Sequence, residues 1–193
     1  MRVANARPNA LAVAALDLRP ADEVLELGCG PGHAVAMMAE QVRHGTVHGI
    51  DPSATMLAQA RARNRRAVRG GRIRLYRAKI EQLPFANASM DKILAVNVAY
   101  FWHEPALALS EIRRVLRPAG ILSIYVTDAS AMRRWPFADA ETHRLFDCAE
   151  LSRALRHGDF RHETVTITKV QITRRIAGLV ATVTIKPGGL PDR

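Results

Sequence analysis

Three glycines at alternate positions, Gly28, Gly30 and Gly32, follow the short apolar run Glu23–Leu27. The run predicts a strand, and apolar residues at helical spacing from Gly32 to Arg43 predict a helix directly after the loop. Glycines let a backbone turn tightly and let a ligand approach the main chain. The helix that follows presents unpaired N–H groups and the positive end of its dipole. The loop therefore predicts a ligand site between a strand and a helix.

Short apolar runs alternate with helical periods over most of the chain, as in a parallel sheet covered on both faces. The last two predicted strands have no long helix between them, so we expect them to be antiparallel. The sequence predicts an α/β fold with a doubly wound, mostly parallel seven-stranded sheet and an antiparallel edge strand. The predicted strands are Glu23–Leu27, Thr46–Ile50, Arg72–Tyr76, Lys92–Val96, Ile121–Val126, Glu163–Val170 and Leu179–Ile185, and the predicted helices are Gly32–Arg43, Ser53–Arg66, Pro105–Leu116 and Ala140–Arg156, with a turn at Arg117–Gly120.

Length and composition favour one globular domain over residues 1–193, with residues 1–20 as an N-terminal helical lid segment. The two cysteines, Cys29 and Cys148, are too few for a disulfide scaffold or a structural zinc site. They fit a reducing compartment, and we expect a cytoplasmic protein. No apolar run approaches the roughly 20 residues of a membrane span. No metal-binding motif is present, so no metal is expected.

The chain is basic, with 28 Lys and Arg against 18 Asp and Glu and a net charge of +10. Between Asp51 and Glu81 there is no acidic residue, while nine basic residues lie from Arg61 to Lys79. A solvated basic face is the favoured interpretation. A nucleic-acid site is the alternative, and it is disfavoured because Tyr76 is the one aromatic residue in that stretch.

The spacing of the loop restricts the ligand. Gly-x-Gly-x-Gly is neither the dinucleotide pattern Gly-x-Gly-x-x-Gly nor a phosphate-binding P-loop. Glu26, just before the loop, would repel a pyrophosphate and would suit a cation. Asp51 ends the second predicted strand, where a carboxylate can accept hydrogen bonds from both ribose hydroxyls. These residues indicate a ligand with a ribose, a positive charge and no phosphate, and S-adenosylmethionine (SAM) meets all three conditions.

Four segments carry a specific family resemblance: VLELGCGPG (24–32), HGIDPSATML (48–57), IEQLPFANASMDKILAVNVAYFW (80–102) and EIRRVLRPAGIL (111–122). Because these segments occur in the order and spacing of that family, the chain resembles a class I SAM-dependent methyltransferase. It is similar to the type 11 methyltransferases, the broad group that includes the ubiquinone and menaquinone C-methyltransferases. The resemblance covers about residues 20–185. It implies a Rossmann-like fold, SAM as methyl donor and S-adenosylhomocysteine (SAH) as product.

The resemblance also implies which residues bind the cofactor. In many relatives an acidic residue stands at the position of Lys79 and accepts from the adenine amino group, which a charged lysine cannot do. Cofactor affinity is the property that this departure puts in question. The implied cofactor-binding residues are Glu26, Gly28, Cys29, Gly30 and Gly32 beside the methionine part, Asp51, Pro52, Ser53 and Met56 beside the ribose and adenosine, Lys79, Ile80 and Glu81 beside the adenine, and Asn97 and Val98 after the fourth strand.

The segment after the fourth strand is expected to border the methyl pocket. Tyr100, Phe101 and Trp102 would form an apolar wall, and an aromatic face can stabilise a sulfonium. His103 and Tyr100 are the candidate catalytic residues; the alternative for His103 is a surface position at the start of a helix. A lid would come from Met1–Arg19, from Asp128–Ala140 or from a second subunit in a homodimer.

The predicted lid contains polar and basic residues that could contact an acidic substrate: Arg7, Asn9, Arg133 and Arg134. The favoured function is methyl transfer to a small molecule. The alternatives are an RNA or protein methyltransferase that uses the Arg61–Lys79 face, and a SAM-binding protein without turnover.

Overall fold

The computed structural model describes residues 6–135 and 144–187. Along the chain it contains α1 (Ala6–Ala14), β1 (Glu23–Leu27), α2 (His33–Gln41), β2 (Thr46–Ile50), α3 (Ala54–Arg63), α4 (Arg65–Arg69), β3 (Ile73–Tyr76), β4 (Met90–Val96), a 3₁₀ turn (Ala99–Phe101), α5 (Pro105–Val115), β5 (Leu116–Thr127), α6 (Ala129–Met132), α7 (Cys148–Leu155), a π turn (Arg156–Phe160), β6 (Thr164–Thr173) and β7 (Ile176–Thr184).

The strands form one seven-stranded sheet in the order β3-β2-β1-β4-β5-β7-β6. The first five strands in this order are parallel, whereas β7 runs antiparallel to both β5 and β6. This arrangement confirms the predicted α/β fold and its antiparallel finish at one edge. The sheet order reverses between β1 and β4, and the carboxyl ends of strands on either side of such a switch form a ligand crevice.

Apolar residues on both faces of the sheet build two separate cores, because successive strand residues point to opposite faces. On one face, Val24 of β1 and Leu94 of β4 pack with Val13 of α1 and Met38 of α2. On the other face, Leu25, Ile93 and Ile124 pack with Leu109 and Ile112 of α5 and with Leu151 and Leu155 of α7. The helices thus cover both faces, as a doubly wound sheet requires.

The predicted helix Ser53–Arg66 is divided in the structure. The buried Asn64 lies between α3 and α4 and donates through Nδ2 to the carbonyl oxygens of Gly32 and Ala60, each at 3.0 Å. An asparagine side chain that competes for backbone groups ends a helix in this way. The break therefore ties α3 to the glycine loop that precedes α2.

Two further elements differ from the prediction. The predicted turn Arg117–Gly120 lies inside β5, which begins at Leu116 and contains an irregularity in its pairing with β4, with Ala119 at a φ of 63°. The predicted helix Ala140–Arg156 begins at Cys148, because Asp147 and Glu150 form a capping box there. Residues 140–143 of that prediction lie outside the described residues. Within the described ranges, no helix is long and apolar enough to cross a bilayer.

Candidate functional site

A cavity of about 660 Å³ opens at the carboxyl ends of the parallel strands. This volume lies within the range of roughly 300–1,000 Å³ that is typical of sites for small ligands. One side is formed by residues that the sequence assigned to a cofactor: Gly28, Asp51, Pro52, Lys79, Ile80, Glu81 and Val98. The other side is formed by Phe101, Trp102 and His103, which were expected to border the methyl pocket. The fold therefore brings both predicted halves of the site together.

The glycines of the loop serve different purposes. Gly28 has a φ of +63°, and a Cβ on it would lie 2.5 Å from Cγ1 of Val98. A side chain would therefore collide with the segment that follows β4. Gly30 has a φ of +50°, and no atom lies within 4 Å of the place that its Cβ would take. The space beside Gly30 is open, so the backbone there is accessible to a ligand.

Asp51 fixes the glycine loop to the end of β2. Its carboxylate is buried and accepts two backbone hydrogen bonds, from the Gly30 N–H to Oδ2 and from the Ser53 N–H to Oδ1, each at 2.9 Å. Each carboxylate oxygen can accept more than one hydrogen bond. Because Asp51 also lines the cavity, it can bind two hydroxyl groups of a ligand while it holds the loop.

Ser53 and Met56 do not line the cavity. Ser53 caps α3, and its Oγ accepts from the Met56 N–H at 3.3 Å. Both residues follow Asp51 in the chain, and their hydrogen bond stabilises the first turn of α3 behind that carboxylate. The predicted residues that are likewise not among those lining the cavity are Glu26, Gly30, Gly32 and Asn97.

Glu26 lies buried at the end of β1, and its Oε2 has no hydrogen-bond partner. Burial raises the pKa of its carboxyl well above the ordinary range; the Val35 backbone N–H opposes this shift, and the negative charge of Asp51 adds to it. A buried polar atom without a partner is rare and needs an explanation. A positively charged ligand group near the loop would supply the missing interaction.

Cys29 is buried within the loop, and its backbone N–H donates to the Ile50 carbonyl at 2.8 Å. Burial, together with the nearby charges of Glu26 and Asp51, raises the pKa of its thiol. The thiol is the unreactive form of cysteine, so Cys29 is a packing residue of the loop. It does not line the cavity.

Together, these residues fit an adenosyl ligand with a cationic tail. The cavity has sufficient volume, Asp51 and Glu81 supply acceptors on its wall, Gly30 leaves open space, and Glu26 keeps a buried oxygen without a partner. Lys79 is exposed at the rim, which makes it the one cofactor-side residue with the wrong charge for an adenine amino group. Among the described residues, no three His, Cys, Asp or Glu side chains are placed to hold a metal ion.

Tyr100 differs from the prediction. Phe101 and Trp102 line the cavity, but Tyr100 is buried behind them with only 6% of its surface exposed. Its hydroxyl accepts from the Thr127 N–H and donates to Oδ1 of Asn97, the latter at 2.9 Å. Burial raises the pKa of Tyr100 to about 12. The hydroxyl therefore joins the segment after β4 to β5, and Tyr100 is not among the residues that line the cavity.

His103 is exposed and lines the cavity together with Glu104, the last residue of the segment Asn97–Glu104 that was expected to border the methyl pocket. The sequence missed Leu27, Ile50 and Ala78 as lining residues. Two of these residues, Leu27 and Ile50, are the last residues of strands β1 and β2. The general rule that ligands contact the carboxyl ends of parallel strands could have identified them.

The predicted lid lies partly outside the described residues, which exclude Met1–Asn5 and 136–143 and therefore Pro136 and Phe137. Arg7 donates through Nη1 to the Ile172 carbonyl at 3.3 Å, at the end of β6. Asn9 is buried, whereas Arg133 and Arg134 are exposed after α6. None of these four lines the cavity.

Comparisons with known proteins place these features in a family. The family model described as "Methyltransferase domain" matches residues 25–124. An O-methyltransferase from Aspergillus sclerotiorum, resE, is 32% identical over 168 residues, which cover 83% of this chain and 63% of that protein. The chain spans only 41% to 66% of the length of the first curated relatives that it matches.

Solved structures resemble the whole fold. The putative methyltransferase that was solved in complex with the Trm112 activator of Haloferax volcanii has a TM-score of 0.83 at 19% identity, over 100% of this chain and 93% of that one. The Burkholderia thailandensis 1,6-didemethyltoxoflavin-N1-methyltransferase, solved with its substrate and SAH, has a TM-score of 0.72 at 24% identity, over 95% of this chain and 78% of that one.

Proposed function

Because the chain belongs to the methyltransferase domain family, of the class I SAM-dependent type, we propose that it transfers a methyl group from SAM to a small-molecule acceptor and releases SAH. The observation that carries this proposal is Asp51, which lines the cavity while its Oδ2 accepts from Gly30 of the glycine loop and its Oδ1 accepts from Ser53 at the start of α3. The fungal O-methyltransferase and the toxoflavin N-methyltransferase support a small acceptor by similarity.

When bound, SAM supplies a methyl group on a sulfonium, so the protein needs chiefly to position the reactants. Asp51 would accept from the ribose hydroxyls, and Gly28 and Gly30 would let the methionine part approach the main chain. Glu26 would give its unpartnered Oε2 to a cationic group. Positioning of this kind can supply roughly 7–11 kcal/mol of a reaction barrier.

The acceptor side would be formed by Phe101, Trp102 and His103. Phe101, which is 55% exposed, and the buried Trp102 would give an acceptor an apolar contact surface, and the imidazole of His103 would take a proton from it. A base is needed only if the acceptor is not already ionised. The proposal therefore gives His103 a role for a hydroxyl acceptor and none for an acceptor that is already an anion.

The test is calorimetric binding of SAM and SAH to the full chain. Both should bind, and Asp51→Asn should weaken SAH about 10- to 100-fold, because hydrogen bonds to a charged group contribute roughly 1.5–3 kcal/mol. Asp91→Asn is the matched control, since Asp91 accepts from the Glu23 N–H at 2.8 Å and pairs with Arg117 at the opposite end of the sheet. It should lower stability but leave SAH affinity unchanged.

Failure of both SAM and SAH to bind would overturn the proposal, and so would an Asp51→Asn variant that binds SAH as tightly as the parent. Turnover is measured separately, as SAH released from SAM with a panel of small hydroxyl, amine, thiol and carboxylate acceptors. Binding without SAH release from any acceptor would favour the alternative of a SAM-binding protein without turnover.

RNA is a second candidate acceptor class, favoured by one observation. All nine basic residues from Arg61 to Lys79 are exposed, and none pairs with an acidic side chain among the described residues. Phosphate contacts release counterions, so RNA binding through this face would weaken steeply with salt. Methylation of total RNA that falls as salt rises from 50 to 200 mM, by about a thousandfold or more for six or more phosphate contacts, would favour this candidate.

A further inference from the structure

A second cavity, of about 440 Å³, lies between the beginning of α5 and α7. Its apolar lining includes Pro105, Ala106, Leu145, Phe146 and Ala154. Its charged or titratable lining includes Arg144, Arg153 and His157. A groove with an apolar floor and basic side chains is suited to a ligand that has an apolar body and a negative charge.

The basic side chains of this groove have no acidic partner within the described residues. Arg144, Arg153 and His157 are exposed and take part in none of the ion pairs there. On α5 and early β5, by contrast, Arg114 pairs with Glu111 at 2.6 Å and Arg117 pairs with Asp91 at 2.6 Å. The arginines at the end of α5 and in early β5 are thus neutralised, whereas Arg144 and Arg153 of the groove have no acidic partner in the described part of the chain.

Glu150 is the acidic side chain that lines the groove, and α7 already uses it. Its Oε2 accepts from the Asp147 N–H at 3.0 Å, while the Glu150 N–H donates to Oδ1 of Asp147 at 2.8 Å. This capping box holds the carboxylate at the start of α7. The beginning of α5 also lines the groove through Pro105 and Ala106, where the helix dipole adds positive potential and the exposed carboxylate of the preceding Glu104 opposes it.

The groove adjoins the acceptor side of the first cavity. Phe101 to Glu104 line the first cavity, and the next residues, Pro105 and Ala106, line the second. The Arg144 N–H donates to the Tyr100 carbonyl at 3.1 Å, and the rings of Tyr100 and Phe146 lie 6.4 Å apart. The two cavities are thus neighbours that are lined by consecutive residues of one short chain segment.

We propose that this groove binds the carboxylate or phosphate group of the methyl acceptor, so that the acceptor is an amphiphilic organic anion. The assignment rests on the proposed function, because it treats the first cavity as the place of methyl transfer. Arg144 and Arg153 donate to the anion, His157 and the start of α5 add positive potential, and Phe146 and Ala154 contact the apolar body. The basic residues are thus specificity-determining and take no part in the chemical step.

The test is an NMR titration of the ¹⁵N-labelled full chain with simple probes, carried out with and without saturating SAH. Octanoate is the amphiphilic anion, octylamine is the cation of equal length, and acetate and inorganic phosphate are anions without an apolar body. Octanoate should bind in the presence of SAH and shift the amide signals of Ala106, Phe146 and Ala154. Octylamine should bind at least tenfold more weakly.

Arginine variants test which side chains bind the negative charge of octanoate. The double variant Arg144→Ala and Arg153→Ala should weaken octanoate binding at least tenfold, because charge-assisted hydrogen bonds to the anion are lost. Arg156→Ala is the control: Arg156 is exposed on the next turn and bonds to Ser152 Oγ at 3.4 Å, outside the groove. It should change octanoate affinity by less than twofold. All three arginines are exposed, so we expect these variants to fold.

The proposal would be overturned by the absence of octanoate binding, by equal binding of octylamine, by equal weakening in Arg156→Ala, or by displacement of octanoate by SAH, which would place the probe in the cofactor cavity. Acetate or phosphate binding as tightly as octanoate would make the groove a free-anion site and would overturn the acceptor assignment. Failure of the proposed function is separate, because it would appear as absent SAH binding before any probe is added.

Discussion

The two sides of the first cavity are built by different means. On the cofactor side, backbone N–H groups of Gly30 and Ser53 meet one carboxylate, and the Cys29 N–H meets the end of β2. On the acceptor side, the position of the wall depends on side chains such as Tyr100 and Phe146, which come from segments far apart in the chain. A site formed by main-chain groups is determined by short sequence patterns. The position of a wall formed by side chains depends on which distant segments of the chain pack against it.

The largest expected effect lies within the cofactor side, where the glycine loop contacts the segment that follows β4. Gly28→Ala would place a Cβ 2.5 Å from Val98 Cγ1 at a φ of +63°. Overpacking costs roughly 1–3 kcal/mol and left-handed backbone costs an L-residue roughly 1–2 kcal/mol, so we expect the free energy of unfolding to fall by about 3 kcal/mol. Urea unfolding measures this loss.

Gly30→Ala is the matched control for that experiment. Its φ is +50°, but its Cβ would meet no atom within 4 Å, so the expected loss is the backbone cost of about 1–2 kcal/mol. The added methyl group would occupy the space left for a ligand. The loss in the free energy of SAH binding should therefore be larger than the loss in the free energy of unfolding. Equal destabilisation by both substitutions would show that the close contact between Gly28 and Val98 is unimportant.

The next effect is expected on the acceptor side, at Tyr100. Tyr100→Phe leaves the backbone N–H of the buried Thr127 without its partner, which should lower the free energy of unfolding by about 1–3 kcal/mol. SAH release should stay within tenfold of the parent, because this hydroxyl holds the segment after β4 to β5 and does not line the cavity. His103→Ala, at an exposed position, should leave the melting temperature unchanged. A Tyr100→Phe enzyme with an unchanged melting temperature and a hundredfold loss of turnover would assign Tyr100 a catalytic role.

The sequence predicts the cofactor side better than the acceptor side for a physical reason. The strand, glycine loop and helix around Gly28, and the acidic end of β2 at Asp51, are set by local patterns and by the rule that parallel strands share one edge. Tyr100 could not be placed in this way, because its neighbours alone do not show whether a tyrosine points at a ligand or at Thr127, 27 residues away. The start of α7 is difficult to predict for a similar reason. The capping pair Asp147 and Glu150 lies inside a longer stretch of helical periodicity, and periodicity alone does not show where the helix begins.

Glu26 gives a pH-dependent test of the cofactor side. Because its pKa is raised in the folded protein, the native state binds more protons than the unfolded state above the ordinary value of 4.5. Its contribution to stability is therefore full below that pH and is lost as the pH rises through the folded-state pKa. Glu26→Gln cannot ionise and should flatten this decline in cofactor-free protein, as measured by urea unfolding between pH 4 and 9.

The same substitution should weaken SAH by about tenfold, since a neutral amide gives a cationic group less stabilisation than a carboxylate does. Asp91→Asn serves again as the control, because Asp91 lies at the opposite end of the sheet. If Glu26→Gln left both the pH profile and the SAH affinity unchanged, the carboxylate would be a structural residue only, and the cofactor side would be held by backbone groups alone.

The smallest expected effect concerns the one cofactor-side residue that departs from the family pattern. Lys79 is exposed at the rim, so Lys79→Glu should change the free energy of unfolding by less than about 0.5 kcal/mol. If the adenine amino group lies beside this position, the new acceptor should tighten SAH by about threefold, as expected for one exposed hydrogen bond. Arg77→Glu is the charge-matched control, because Arg77 is exposed two residues earlier and its Nε donates to the Pro52 carbonyl at 3.1 Å. A gain in Lys79→Glu alone would indicate a direct contact, whereas an equal gain in both variants would mean that the basic face weakens the cofactor through its overall field.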